Sequence, residues 1–137
     1  MKDMRVALPL LWVFMLLNYL YCDVLSLTDP ANLKDVLAGH AAGGSVQITP
    51  EFLLASAVLM EIPMAMILLS RVLGHRASRW ANVVAAAFMT LVQIGSLGVG
   101  TPTSYYLFFS AIEVGTLALI AVLALRWVDP KPGLAAA

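Results

Sequence analysis

Residues 49–72 read TPEFLLASAVLMEIPMAMILLSRV: a Thr-Pro pair, then a long apolar run broken by Glu61 and closed by Arg71. Threonine accepts one of the free N–H groups that open a helix, and proline at the next position has no N–H to lose. The run reaches the roughly 20 residues that carry a helix across about 30 Å of hydrocarbon. It is a membrane span, and comparable runs lie at residues 6–27, 77–99 and 102–127.

The rest of the chain agrees. It has 137 residues, 61% hydrophobic and 12% charged. A soluble domain averages about 45–50% apolar and about 25% charged. Backbone polar groups in lipid must find partners inside the protein, which favours helices over an open sheet. The expected fold is therefore all-α: an integral membrane four-helix bundle that forms one transmembrane domain over residues 1–137. Seven of the eight basic residues (Lys2, Arg5, Arg71, Arg76, Arg79, Arg126 and Lys131) fall at the N-terminus, the second loop or the C-terminus. Only Lys34 falls in the first loop. The positive-inside rule then places both termini in the cytoplasm. The expected location is the bacterial inner (plasma) membrane, as a multi-pass protein. The opening MKDMR imitates a secretory leader, but the apolar run is long and no A-x-A site follows, so it reads as a retained first span. Cys22 is the only cysteine, which excludes an intrachain disulfide.

Between the first two spans lies the one long connection. There TDPANLKDVLAGH offers Asp29 as a cap, Pro30 at the first helical position and Gly39 as a stop, which predicts a short surface helix. The following AGGSVQ reads as flexible. Ser78 is the expected cap of the third span and Thr101 that of the fourth, with Pro102 after it. Pro63 predicts a kink, Trp80 and Trp127 read as interfacial anchors, and the methionines as packing.

Thr49-Pro50 and Thr101-Pro102 begin similar phrases, and in each the acid comes eleven positions after the proline. At 1.5 Å per residue, Glu61 and Glu113 lie about 16 Å down their helices, near the bilayer midplane. Asn18, Gln93 and the shallower Asp23 fall in the same half of the membrane. A charged side chain at the bilayer centre costs at least about 2.5–3.5 kcal/mol, so such residues normally face the bundle interior and have a function. Helical spacing sets Tyr106, Phe109, Ser110 and Thr116 on the face of Glu113. Phe14, Asn18 and Tyr21 form one stripe of the first span; Trp12, Leu16, Tyr19 and Asp23 form another. With Tyr105, these residues predict a pocket with acids at its floor, aromatic walls and a mouth toward the outer leaflet. No intramembrane Lys or Arg neutralises the acids, and a carboxyl alone in a low dielectric tends to keep its proton. The plainer account is that Asn18 and Gln93 only hold helices together, at roughly 0.6 kcal/mol per contact.

Several classes are excluded. His40 and His75 belong to loops on opposite sides, which gives no haem or zinc site, and no cofactor is expected. There is no basic face for nucleic acid and no Gly-rich phosphate loop.

The stretches NYLYCDVLSLTDP, LMEIPMAMILLSRVLGHRASRWAN and YYLFFSAIE together resemble a bacterial family of small four-helix membrane proteins of unknown function. The motif positions of that resemblance are Asn18, Asp23, Glu61, Pro63, Arg71, Asn82 and Glu113. It implies a topology and no activity. A looser similarity, of chemistry and not of motif, is to integral-membrane terpene cyclases and sterol isomerases. It implies a hydrophobic isoprenoid, a protonated carboxyl that attacks an alkene or epoxide, and aromatic faces that stabilise the carbocation.

The expected function is acid-catalysed cyclisation or isomerisation of an isoprenoid-like lipid drawn from the bilayer. Glu61, Glu113 and Asp23 are the candidate catalytic residues. Asn18, Gln93, Trp12, Phe14, Tyr19, Tyr21, Tyr105, Tyr106 and Phe109 are the candidate substrate contacts. Four helices make a small site, and a homodimer is one way to close it. The alternatives are a small proton-coupled exporter of lipophilic cations, which would use the same acids, and a structural membrane subunit.

Overall fold

The computed structural model describes residues 3–128; Lys2 and Lys131 lie outside the described residues. Four long helices account for most of them: α1 (Met4–Thr28), α3 (Pro50–Val72), α4 (His75–Leu97) and α5 (Ser104–Arg126). All four are long and apolar enough to cross a membrane. A short helix, α2 (Pro30–Leu37), and a two-stranded antiparallel hairpin, β1 (His40–Ala41) and β2 (Val46–Gln47), fill the connection between α1 and α3.

The helix ends show where local chemistry decided the boundary. Asp29 closes α1 and caps α2, its Oδ1 accepting from the Ala31 N–H at 3.1 Å, with Pro30 at the first helical position. Gly39 follows the end of α2 at φ +84°, a conformation that favours glycine. Thr49 caps α3 as its sequence predicts, its Oγ1 accepting from Phe52 N–H at 3.1 Å.

Three expectations need correction. α5 is capped by Thr103, whose Oγ1 accepts from Tyr106 N–H, so Thr101-Pro102 belongs to the turn. α4 begins at His75 behind Gly74, and Ser78 is not its cap. Ser78 lies one turn in, fully buried, and its hydroxyl donates to Ser70 O at 3.1 Å. AGGSVQ is not a loose tether: Ala42, Gly43 and Gly44, all at positive φ, turn the chain sharply from β1 to β2. The hairpin meets the α4–α5 turn at Gly100, where an added Cβ would stand 2.4 Å from Ala42 O. Only glycine permits that approach, and it closes one end of the bundle.

α1 packs against α3 and α5, and α4 packs against the same two, so α3 and α5 occupy opposite corners. Each helix turns a stripe at helical spacing inward: Leu8, Trp12, Met15 and Cys22 on α1; Pro63, Met66 and Ser70 on α3; Ser78, Asn82, Ala85, Met89 and Gln93 on α4; Ser110, Glu113, Leu117, Ile120 and Ala124 on α5. Met15, Met66 and Met89 fill the core, as methionine's flexible side chain allows. α2, the hairpin and the α4–α5 turn gather at one end, here the loop end. Arg5, Arg71, Arg76, Arg79 and Arg126 gather at the other, the basic end. Pro63 is accommodated inside α3 without ending it. Trp80 is exposed, whereas Trp127 is buried at the end of α5 with its ring edge-on to His75, centroids 4.7 Å apart. Trp127 is therefore a packing residue at the basic end and not an anchor held in the interface.

Candidate functional site

The buried stripe of α5 carries Glu113 into the interior. The residue is 2% exposed, and its Oε1 has no hydrogen-bond partner among the described residues. A buried polar atom left unpaired typically costs about 1–3 kcal/mol, and more when it is charged. Such an atom calls for an explanation beyond packing.

Around it stands a shell from three helices. Tyr19, Cys22 and Asp23 of α1 and Tyr106 of α5 all lie close enough to the Glu113 carboxyl to feel its charge. One turn toward the loop end, Gln93 Nε2 donates to Ser110 Oγ at 2.8 Å, tying α4 to α5. Ser96 Oγ donates to Gln93 O at 2.7 Å, and the Tyr106 hydroxyl lies 2.7 Å from the same Ser96 oxygen. Serine has one hydroxyl hydrogen, and Gln93 O holds it. Tyr106 is therefore the donor to Ser96.

Above this layer, at the loop end, is a cavity of about 350 Å³. Ser26 of α1, Asn32 of α2, Ala41–Gly43 and Val46 of the hairpin, Phe52 of α3, and Ser96, Val99, Thr101–Thr103, Tyr105 and Tyr106 around the α4–α5 turn surround it. Ser96, Tyr105 and Tyr106 are part of its wall. Its rim is pinned by the Tyr105 hydroxyl, which donates to Asp29 Oδ2 at 3.3 Å, and by Asn32 Nδ2, which donates to Ser26 O at 2.9 Å. Tyr106 lines the cavity and also lies within electrostatic reach of Glu113. It links the two regions.

The candidate residues thus divide. Glu113, Gln93, Tyr19, Tyr105 and Tyr106 come together at the loop end, with Asp23 at the edge of the cluster on an exposed position of α1. Asn18 is nearly buried, but its amide donates to Phe14 O four residues back on its own helix. Phe109 is half-buried against Phe108, ring centroids 5.5 Å apart, and is not part of the cavity wall.

Four expected pocket residues lie elsewhere. Glu61 is exposed on α3. It precedes the buried Pro63 by two residues, which at about 100° per residue turns it to the opposite side of the helix. Phe14 and Tyr21 are 47% and 64% exposed, because Asn18 marks the edge and not the middle of the buried stripe of α1. Trp12 is fully buried, but toward the basic end.

There Trp12 Nε1–H donates to Asn82 Oδ1 at 2.7 Å, across the centre of the bundle. Ser70 Oγ donates to the same oxygen at 3.1 Å, and Asn82 Nδ2 donates to Ser78 O at 2.8 Å. This Trp12–Asn82–Ser70–Ser78 knot joins α1, α3 and α4. Of its members, residue spacing placed only Trp12 and Ser78, and gave them other roles. Asn and Ser at heptad spacing on apolar helices were the available signal.

Among the described residues no three of His, Cys, Asp and Glu come together as a metal-ligand set. No curated protein and no solved structure matches the chain. Residues 2–133 match the family described as Family of unknown function (DUF6326), and the chain belongs to that family.

Proposed function

We propose that this chain is a membrane-embedded acid catalyst. It takes an isoprenoid-like lipophilic molecule into the loop-end cavity and isomerises or cyclises it by proton transfer from Glu113. One observation carries the proposal: a buried carboxyl with an unpaired oxygen lies on the same helix face as Tyr106, which lines a cavity of about 350 Å³. That volume falls in the range of roughly 300–1,000 Å³ typical of small-molecule sites.

The chemistry balances without a cofactor. Glu113 in its acid form gives its proton to one carbon of an alkene, or to an epoxide oxygen, and leaves a carbocation. Tyr19 and Tyr106 are the aromatic side chains near the carboxyl, and aromatic faces attract a cation. Loss of a proton from a neighbouring carbon to the Glu113 carboxylate restores the acid and gives an isomer of unchanged mass. Asp23 supplies a second carboxylate at the edge. Tyr106 must yield for the substrate to reach the acid. Its hydrogen bond to Ser96 then acts as the latch. The positive-inside rule sets the basic end in the cytoplasm and opens the cavity toward the outer leaflet of the plasma membrane.

The bare oxygen of Glu113 would also hold a lipophilic cation once ionised, as an exporter requires. The test separates the two. Purified protein in detergent, without a proton gradient, is incubated with prenylated and epoxidised lipids, and products are resolved by chromatography and mass spectrometry. The account expects a product of unchanged mass and new retention time, lost in Glu113→Gln. No conversion, together with gradient-driven cation flux in proteoliposomes that Glu113→Gln abolishes, would replace the enzyme with the exporter.

A further inference from the structure

The wall of the loop-end cavity is partly polar but holds no positive charge. Among the described residues it includes no Lys, Arg or His. Lys34 and His40, which belong to the loop end, are exposed on α2 and β1 and are not part of the wall. The arginines of the long helices lie at the basic end. The charged group at the rim is a carboxylate, Asp29, and each of its oxygens already accepts a hydrogen bond, from Tyr105 O–H at 3.3 Å and from Ala31 N–H at 3.1 Å. A phosphate or carboxylate drawn into this cavity would leave water and meet no cation, and a charge buried without a partner is costly.

Most hydroxyl hydrogens of the wall are already committed. Tyr105 donates to Asp29, Tyr106 to Ser96, and Ser96 to Gln93 O. Of the polar side chains that remain, Thr101 and Thr103 are exposed on the turn, whereas Ser26 and Asn32 are half-buried. Asn32 donates one amide hydrogen to Ser26 O at 2.9 Å, which sets the two residues side by side. Its second amide hydrogen and its Oδ1 are left over, as is the Ser26 hydroxyl. Together they can both donate to and accept from a single oxygen. Val46, Phe52, Val99 and Pro102 make the apolar part of the wall. At about 30 Å³ for each water-sized group, the cavity holds on the order of a dozen heavy atoms. Resting on the acid-catalyst reading above, we propose that the substrate is a short, uncharged isoprenoid with one hydroxyl or carbonyl oxygen as its head. The head sits between Ser26 and Asn32, the hydrocarbon lies against the apolar wall, and phosphorylated isoprenoids are refused.

The experiment measures binding apart from turnover, on the full purified chain in detergent. Geraniol, geranyl phosphate and geranylamine share one tail and differ in the head. Each is titrated calorimetrically against a matched detergent blank. Geraniol should bind, and geranyl phosphate should bind at least about tenfold more weakly. Ser26→Ala removes a hydroxyl that no described residue uses, so the thermal midpoint should hold while geraniol binds about two- to tenfold more weakly. Glu113→Gln should keep the preference for geraniol over the phosphate, because the wall and not the acid sorts the heads. Geranyl phosphate bound as tightly as geraniol, no binding of geraniol, or wild-type geraniol affinity in Ser26→Ala would each overturn the inference. Geranylamine bound tightest, with that preference lost in Glu113→Gln, would overturn it in favour of the exporter. The predicted preference without any isomerised product would instead remove the acid-catalyst reading and leave the head-group selectivity standing.

Discussion

The bundle holds two buried polar clusters, and they are built on opposite principles. At the basic end, the Asn82 oxygen accepts from Trp12 and from Ser70, its amide donates to Ser78, and the Ser78 hydroxyl donates to Ser70 O. Toward the loop end, Glu113 is almost as deeply buried, yet its Oε1 is unpaired, and Tyr106 on the same helix face lines a cavity. The first cluster is a closed circuit that three helices share. The second is open at its most reactive atom. In a membrane, a closed polar circuit is how helices are held in register, whereas an open one costs stability with no structural return. The first is architecture; the second is the cluster to which the proposed function assigns the chemistry.

The largest effect expected from breaking that contrast is on activity. Glu113→Gln removes the transferable proton and keeps the shape. Turnover of the lipid substrate should fall by about 10²–10⁴-fold, the usual contribution of general acid catalysis. Thermal unfolding in detergent should stay within about 1 kcal/mol of wild type. A variant that unfolds and still turns over at the normal rate would reverse the assignment of the two clusters.

Asn82→Ala should do the opposite. It leaves the Trp12 N–H and the Ser70 hydroxyl without their acceptor, and should cost about 2 kcal/mol of stability. Substrate turnover per folded molecule should not change. Chemical unfolding in micelles, read by Trp fluorescence, measures the loss.

A smaller change sharpens the boundary between the two regions. Tyr106→Phe cuts the latch to Ser96 and should cost about 0.5–1 kcal/mol in stability. Because the layer between cavity and acid is loosened, KM should change more than thermal stability does. Gln93→Leu breaks the α4–α5 tie to Ser110 and should cost about 0.6 kcal/mol. Its main readout is a shift in the thermal midpoint.

The fold was legible because the apolar runs are long and the charges between them are uneven. Thr49 and Asp29 cap as expected, since each offers an oxygen just before a proline. The start of α5 was misplaced because TPTS holds several adequate caps within four positions, and only packing chooses among them. The burial of Glu113 was legible for a different reason: Tyr106, Phe109, Ser110 and Thr116 lie along its face at helical spacing, and Ser110 and Thr116 are buried with it while Tyr106 and Phe109 are half-buried. The same rule failed at Glu61, Phe14 and Tyr21. In a helix that is apolar all round, hydrophobicity does not tell inward from outward, so an acid reads as interior by its cost alone. The knot at Asn82 escaped because its partners sit on three helices, and a residue's period says nothing about which helix lies across from it.

The central claim is that Glu113 hands its proton to a substrate in the loop-end cavity, and the most direct measurement is isotopic. The reaction is run in D₂O with purified protein and an alkene substrate, whose protonated carbon keeps the label, and the product mass is read. The account predicts one deuterium gained per product molecule, with the signal gone in Glu113→Gln and kept in Asn82→Ala after correction for folded protein. Product without deuterium, or the same labelled product at the same rate from Glu113→Gln, would contradict it.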